Sequence, residues 1–380
     1  MSRILYFTRD YTTHDHRFLS AMAEAGEQVY YLRLERQSQA FEDRPLPSDV
    51  EQVQWAGGRK TAHWQDGPDL LLSLKEVLRK IKPDLVQAGP LQRCAFLVAL
   101  SGFRPLVSMS WGYDLIQDAG RNLLWRWATR YTLHRSAAMV GDCETIRRLA
   151  ISYGMPEEHI VTFPWGVDLQ HFSPAPREGA GETRDAAHGP AAFTLLSTRG
   201  WEPVYGVDII ARGFVGAAQR NPDLHLIMLG NGSQAGILRQ IFERGGVMER
   251  VHFPGQVSQA DLPRYYRTCD MYVSASHSDG TSISLLEALA CGCPVLLSDI
   301  PGNREWVDPG VQGWLFPSGD VDSLAERILQ AAGDRRRLQE MGQAARCLAE
   351  LRADWNINFP QLYRAYELAL GRREENSPQI

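Results

Sequence analysis

The sequence predicts an α/β protein of two doubly wound, Rossmann-like domains, and three observations lead there. Short runs rich in Val, Ile, Leu and Tyr alternate with amphipathic stretches along nearly the whole chain. The alternation halts at a polar, Gly/Ala/Pro-rich stretch from Ser173 to Ala192 and then restarts. At 380 residues the chain is longer than one hydrophobic core ordinarily serves, so two domains are the natural division.

In the first half, strands are expected at 3–7, 29–32, 84–87, 105–108, 138–140 and 160–163, with helices near 16–25, 69–82, 91–101, 121–135 and 143–153 between them. Regular β-then-helix succession is the signature of a parallel sheet covered on both faces. After the break, strands are expected at 193–196, 224–229, 251–253, 271–273 and 294–297. The domain division follows: 1–172, a linker over 173–192, a second domain over 193–354, and a last helix and tail over 355–380. Pro360 should kink that helix or start its last part.

Composition narrows the class. The hydrophobic share of 44% and charged share of 22% are those of an ordinary globular protein. The start carries no basic segment followed by an apolar one, and no uninterrupted apolar run reaches about 18 residues, so neither export nor membrane spanning is expected. A cytoplasmic protein is the expectation. Six cysteines lie in apolar or helical contexts without C-x-x-C pairs, which argues for reduced core thiols rather than disulfides or zinc. Residues 1–165 carry 20 basic against 19 acidic side chains and the rest 20 against 26, a balance without the basic face that nucleic-acid binding needs.

The stretch Asp279-Gly-Thr-Ser-Ile-Ser-Leu-Leu-Glu287 stands out. It reads as a strand ending in an acid, a Gly/Thr/Ser turn, and a helix with a second acid in its second turn. On a helical wheel Glu287 falls among Ile283, Ala290 and Cys291, and no polar face is evident. A buried carboxylate needs bonds, so Glu287 is expected to face a polar ligand. The turn before it offers free amides and a positive helix terminus, the usual seat of a phosphate.

Other strand ends point the same way, since ligands in open α/β sheets bind at the carboxyl ends of strands. Arg199 closes Thr194-Leu-Leu-Ser-Thr-Arg199 and suits bidentate phosphate contact. Gly230 and Gly232 make a tight turn where backbone can approach a ligand.

The segment from Asp279 to Glu287 resembles the E-x7-E motif of retaining, nucleotide-sugar-dependent glycosyltransferases of family 4, with Asp279 in place of the first glutamate. The resemblance continues through Ala288-Leu-Ala-Cys-Gly-Cys-Pro-Val, Ser298-Asp-Ile-Pro-Gly-Asn-Arg-Glu305 and Gly313-Trp-Leu-Phe-Pro, and covers most of 160 to 350. It implies a GT-B type fold in which two Rossmann-like domains face a deep interdomain cleft, with the last helix crossing back to the first domain. It also implies that Asp279 contacts the donor sugar, that backbone at Gly280, Thr281, Ser282 and Ile283 contacts the diphosphate, that Glu287 grips the ribose hydroxyls, and that backbone at Val257 reads the base.

Departures from the family are as specific. Where the family has a lysine five or six residues after its arginine, this chain has Tyr205, which brings no charge. Where it has a histidine, this chain reads Ser110-Trp-Gly-Tyr-Asp114; Trp111 can stack on a sugar and Asp114 can bond its hydroxyls, or the tryptophan can fill the core. The first βα turn reads Tyr11-Thr-Thr-His-Asp-His-Arg17. His14 and His16 invite a metal reading, but spacing supplies no third ligand and the fold needs no metal. Arg17 is a candidate for the donor phosphates.

Residues 122–135 form a basic aromatic helix with two open readings: adsorption on anionic lipid, or an amphipathic helix with a solvated basic face. The resemblance implies a retaining transfer of a sugar from a nucleoside diphosphate to a saccharide or glycolipid acceptor in bacterial polysaccharide or glycolipid assembly, with Arg199, Asp279 and Asp114 as catalytic candidates and no metal or other cofactor. Peripheral contact with the inner face of the membrane fits that role. Alternatives of the same architecture are a nucleotide-sugar epimerase, a sugar-phosphate synthase, or an inactive sugar-binding subunit.

Overall fold

The computed structural model describes residues 1–36, 42, 44–174 and 192–371. Most of the expected linker and the tail lie outside these residues. The chain divides into two compact units, one made of Met1–Phe163 with the chain from Phe359 onward, the other of Pro164–Asn358.

The first unit is built on seven parallel strands in the order β3-β2-β1-β4-β5-β6-β7: β1 Arg3–Thr8, β2 Gln28–Arg33, β3 Val50–Gln52, β4 Leu85–Ala88, β5 Leu106–Met109, β6 Ala138–Gly141 and β7 Ile160–Thr162. Central strands such as β4, β5 and β6 are buried at every residue, as a sheet covered on both faces requires. Helices Thr13–Glu24, Gly67–Ile81, Phe96–Ser101, Leu123–Arg135 and Glu144–Ser152 supply the crossovers. Strand β3 is not among the expected strands: it is three residues long, with two of them exposed, too short for an alternation to register.

The second unit repeats the plan with six parallel strands in the order β10-β9-β8-β11-β12-β13: β8 Phe193–Ser197, β9 Leu224–Leu229, β10 Val251–Gly255, β11 Met271–Ser274, β12 Val295–Ser298 and β13 Gly313–Phe316. Strand β13 was also not expected, because its four residues open on a glycine and stop before Pro317. That glycine is obligatory, since a Cβ at Gly313 would lie 1.8 Å from the Val295 carbonyl oxygen.

Pro360 caps the helix Gln361–Leu370, which follows a short turn of helix at Trp355–Asn358. The later helix packs on β4, β5, β6 and β7 of the first unit, where the buried Tyr366 hydroxyl bonds the Gln87 side chain.

Candidate functional site

In the second unit the carboxyl ends of β8 and β11, the two central strands, bring together most of the expected donor residues. Arg199 follows β8 and Asp279 lies in the loop after β11. Their side chains form an ion pair at 2.7 Å, only 11% and 20% exposed. The other terminal nitrogen of Arg199 donates to Ser282 Oγ at 2.8 Å, and the guanidinium lies over the Tyr205 ring, 4.1 Å from its centroid. Burial opposes charge on Arg199, but Asp279 and Tyr205 more than offset it and raise its pKa. On Asp279 burial is the dominant influence and leaves the carboxyl above its ordinary range, although Arg199 and the Gly280 amide pull it down.

This arrangement differs from an arginine held open for a phosphate. Arg199 is already clamped on three sides, and Tyr205 serves as the platform under it rather than as a second cation. Its Nε is buried without a hydrogen-bond partner.

Ser282 is the N-cap of the helix Ile283–Ala290, and its own hydroxyl makes no capping bond. The first-turn amides of this helix therefore stay free of side-chain capping by Ser282, and they lie beside the Arg199–Asp279 pair. The loop before them is fixed from behind. A Cβ at Gly302 would sit 2.4 Å from the Gly280 carbonyl oxygen, and Trp306 Nε1 donates to Thr281 Oγ1 at 3.4 Å.

Glu287, 5% exposed, lies on the same helix. Tyr266 donates its hydroxyl hydrogen to Glu287 Oε2 at 2.9 Å, and Thr198 lies 3.0 Å from the Tyr266 oxygen. Because the Tyr266 proton is committed to the carboxylate, Thr198 is the donor in that second bond. Burial and then Glu287 push the Tyr266 pKa well up, so the phenol keeps its proton. Sequence reasoning missed Tyr266: it sits on the helix Leu262–Thr268, and nothing in the spacing of an ordinary aromatic helix links it to an acid 21 residues away.

Gly230 and Gly232 have a packing part in the turn after β9. Gly230 has φ +97° and approaches the Arg199 carbonyl, and a Cβ on Gly232 would stand 2.5 Å from the Trp201 carbonyl oxygen. These glycines let the loop after β9 lie against the loop after β8, with Trp201 N–H bonding the Asn231 carbonyl at 3.0 Å. Val257 is half-buried against the core beneath the site.

The remaining candidates belong to the first unit. Asp114 is fully buried, and its carboxylate accepts four hydrogen bonds: from Ser110 Oγ at 2.6 Å and from the amides of Leu91, Trp111 and Leu115 at 3.0, 3.1 and 3.0 Å. Its acceptor sites are spent on its own loop and on the turn after β4. That geometry is unlike the one expected of a residue holding a sugar. Burial lifts its pKa to about 6 despite these bonds. Trp111 is half-buried with its ring 5.7 Å from that of His14.

In the first βα turn, Asp15 is a structural residue. Thr12 and Asp15 form a capping box for the helix Thr13–Glu24, and Tyr6 also donates to Asp15. Arg17 is half-buried on that helix. Among the described residues no group of three or more His, Cys, Asp or Glu side chains is placed to hold a metal ion.

Two family models match the chain, Glycosyltransferase Family 4 over residues 12–171 and Glycosyl transferases group 1 over residues 188–347. Among similar proteins, a phosphatidyl-myo-inositol mannosyltransferase of Mycobacterium leprae is 31% identical over 54% of this chain and 53% of its own length. A GDP-mannose-dependent alpha-(1-6)-phosphatidylinositol monomannoside mannosyltransferase of Mycolicibacterium smegmatis is 27% identical over 76% of this chain and 75% of its own length. The chain thus spans about half the length of the first of these relatives. Among solved structures, Anabaena HepE in complex with UDP matches with a TM-score of 0.78 over 96% of this chain and 99% of that one, at 18% identity. The sucrose-phosphate synthase of Thermosynechococcus elongatus matches with a TM-score of 0.80 over 98% of this chain and 100% of that one, at 16% identity.

Proposed function

The chain belongs to glycosyltransferase family 4, with its second half in the group 1 glycosyl transferases, and we propose that it transfers a sugar from a nucleoside diphosphate to an acceptor hydroxyl with retention at the anomeric carbon. The observation that carries this is the buried Arg199–Asp279–Ser282 clamp set against the first turn of Ile283–Ala290, which the Ser282 hydroxyl does not cap, with Glu287 held in place by Tyr266 one turn further along. A helix terminus and a guanidinium side by side suit a diphosphate. A fixed carboxylate on the same helix suits a pair of ribose hydroxyls.

In this reading the leaving diphosphate helps to deprotonate the acceptor on the same face, and the protein contributes alignment and charge stabilisation rather than a nucleophile. Arg199 meets the developing charge, Asp279 both holds Arg199 and orients the donor hexose, and no metal is needed. Asp114 supports its loop from within. Polysaccharide or glycolipid assembly in the cytoplasm is the setting we propose; the similarity to phosphatidylinositol mannosyltransferases and six cysteines without a disulfide support it.

One observation favours a second reading, a sugar-binding subunit without turnover: the charge of Arg199 is already balanced by Asp279, and Tyr205 adds none. Calorimetric titration with UDP, GDP and their sugars, followed by NMR of products formed with saccharide and glycolipid acceptors, tests both. Acceptor-dependent release of nucleoside diphosphate with an unchanged anomer supports transfer. Binding without turnover supports the subunit, and absence of any nucleotide binding rejects both.

A further inference from the structure

The helix Leu123–Arg135 of the first unit presents a face that the sugar-transfer reading does not use. Its buried side is made of Ala128, Thr129, Thr132 and Leu133. On the opposite side Leu123, Leu124 and Trp127 are 82%, 67% and 50% exposed. Three large apolar side chains left in water within five residues are not the mark of a merely solvated face. The tryptophan is held rigidly: its ring stacks on Tyr131 with centroids 5.5 Å apart, and Phe96 meets it edge-on at 5.6 Å.

Charge is arranged around this ridge. Residues 121–135 contain four arginines and a histidine but no acid, although residues 1–165 as a whole are nearly balanced. Arg126, Arg130 and His134 are exposed at successive turns and form a stripe beside Trp127. Arg121 lies over the Trp125 ring. A leucine and tryptophan ridge bordered by long cationic side chains is the pattern of a helix lying in a membrane interface, its apolar groups among the acyl chains and its arginines at the headgroups.

We propose that this face docks the protein on anionic phospholipid. A second copy is the less suitable occupant, because a two-fold contact through the same face would set arginines against arginines. Among the described residues no helix is long and apolar enough to cross a membrane, so the contact is interfacial. The inference stands whether or not sugar transfer is confirmed, since adsorption is measured without a substrate.

The test is co-sedimentation of the full chain with vesicles of phosphatidylcholine alone or mixed with phosphatidylglycerol. Binding is expected on the mixed vesicles, weak on phosphatidylcholine, and much reduced in about 1 M salt, where charges are screened beyond roughly 3 Å. Replacing Arg126 and Arg130 together by glutamine should lower partitioning roughly thirtyfold, at the usual contribution of each surface arginine. Leu123→Ser with Leu124→Ser should lower it by about tenfold or more. These exposed positions leave the fold intact, which circular dichroism checks, and nucleotide binding should not change. Equal binding to both vesicle types, wild-type binding by either double variant, or no binding at all overturns the proposal. A dimer that Leu123→Ser dissolves, in a chain indifferent to vesicles, gives the face to a second copy instead.

Discussion

The two units share one order over six strands, with a seventh at one edge of the first, and yet spend their buried carboxylates differently. In the first, Asp114 and Asp15 close on local groups: Asp114 on four donors of its own loop and the turn beside it, Asp15 on the capping box and Tyr6. In the second, Asp279 and Glu287 are held by side chains, Arg199 and Tyr266, that come from other strands and helices. An acid whose oxygens are taken up by nearby amides and hydroxyls is fixed in place as a support for its own turn. One held by a side chain from another element is oriented by the fold around it rather than by its own loop. The same residue type after the same kind of strand can therefore be a brace or a hand.

That contrast is open to direct attack. The largest effect is expected from Arg199→Ala, which should cut kcat/KM by about 10²–10³-fold, the usual cost of losing one preorganised charge stabiliser. Far-ultraviolet circular dichroism must accompany the kinetics, because the change also leaves Asp279 unpaired in a buried setting. Normal turnover in a folded variant would place the diphosphate elsewhere.

Glu287→Gln should come next. It keeps the size but loses charge-assisted bonds of roughly 1.5–3 kcal/mol, so nucleotide affinity should fall about tenfold or more in a stable protein. Tyr266→Phe leaves the carboxylate but frees its orientation, and a weaker drop of several-fold is expected by titration calorimetry. If Tyr266→Phe cost more than Glu287→Gln, the tyrosine itself would be the ligand group.

In the first unit the corresponding change should read out as stability. Asp114→Asn sets an NH₂ group against amide donors, and a loss of about 1–3 kcal/mol in denaturant unfolding is expected while nucleotide affinity holds. A variant of undiminished stability with failed transfer would instead return Asp114 to the chemistry.

The last effect concerns pH. Burial raises Asp15 to about 7 and Asp114 to about 6. In the unfolded chain both take ordinary values, so between roughly 4 and 7 the folded state binds more protons than the unfolded state. These two groups therefore favour the fold most at low pH, and their contribution declines as pH rises through the folded values. Asp15→Asn should flatten that part of the profile of unfolding free energy against pH, measured relative to wild type. A steeper profile in the variant would contradict the sign.

How far the sequence foretold this molecule depends on the range of the interaction involved. Strands buried on both faces, such as those ending at Ala88, Met109 and Ser298, announce themselves as apolar runs, and the acid, turn and acid of Asp279–Glu287 can be read in line. Val50–Gln52 could not be read, because its place is given by pairing with its neighbour β2 rather than by its own pattern. The clamp on Arg199 was equally hidden. An arginine at a strand end looks the same whether it awaits a phosphate or already holds an aspartate 80 residues away, and only folding decides. Tyr205, readable as a missing cation, could not be read as the surface beneath one.

The return of Gln361–Leu370 to the first sheet has a consequence for how the protein is made. Residues up to Phe163 leave the ribosome long before the helix that packs on β4 to β7, so the nascent first unit waits with that part of its sheet lacking its last covering helix while the whole second unit is synthesised. The second unit, begun later, holds all its strands and crossovers within Pro164–Asn358 and can close first. Order of translation and order of completion are reversed in this chain, and the nascent first unit is the stretch that needs shielding during synthesis.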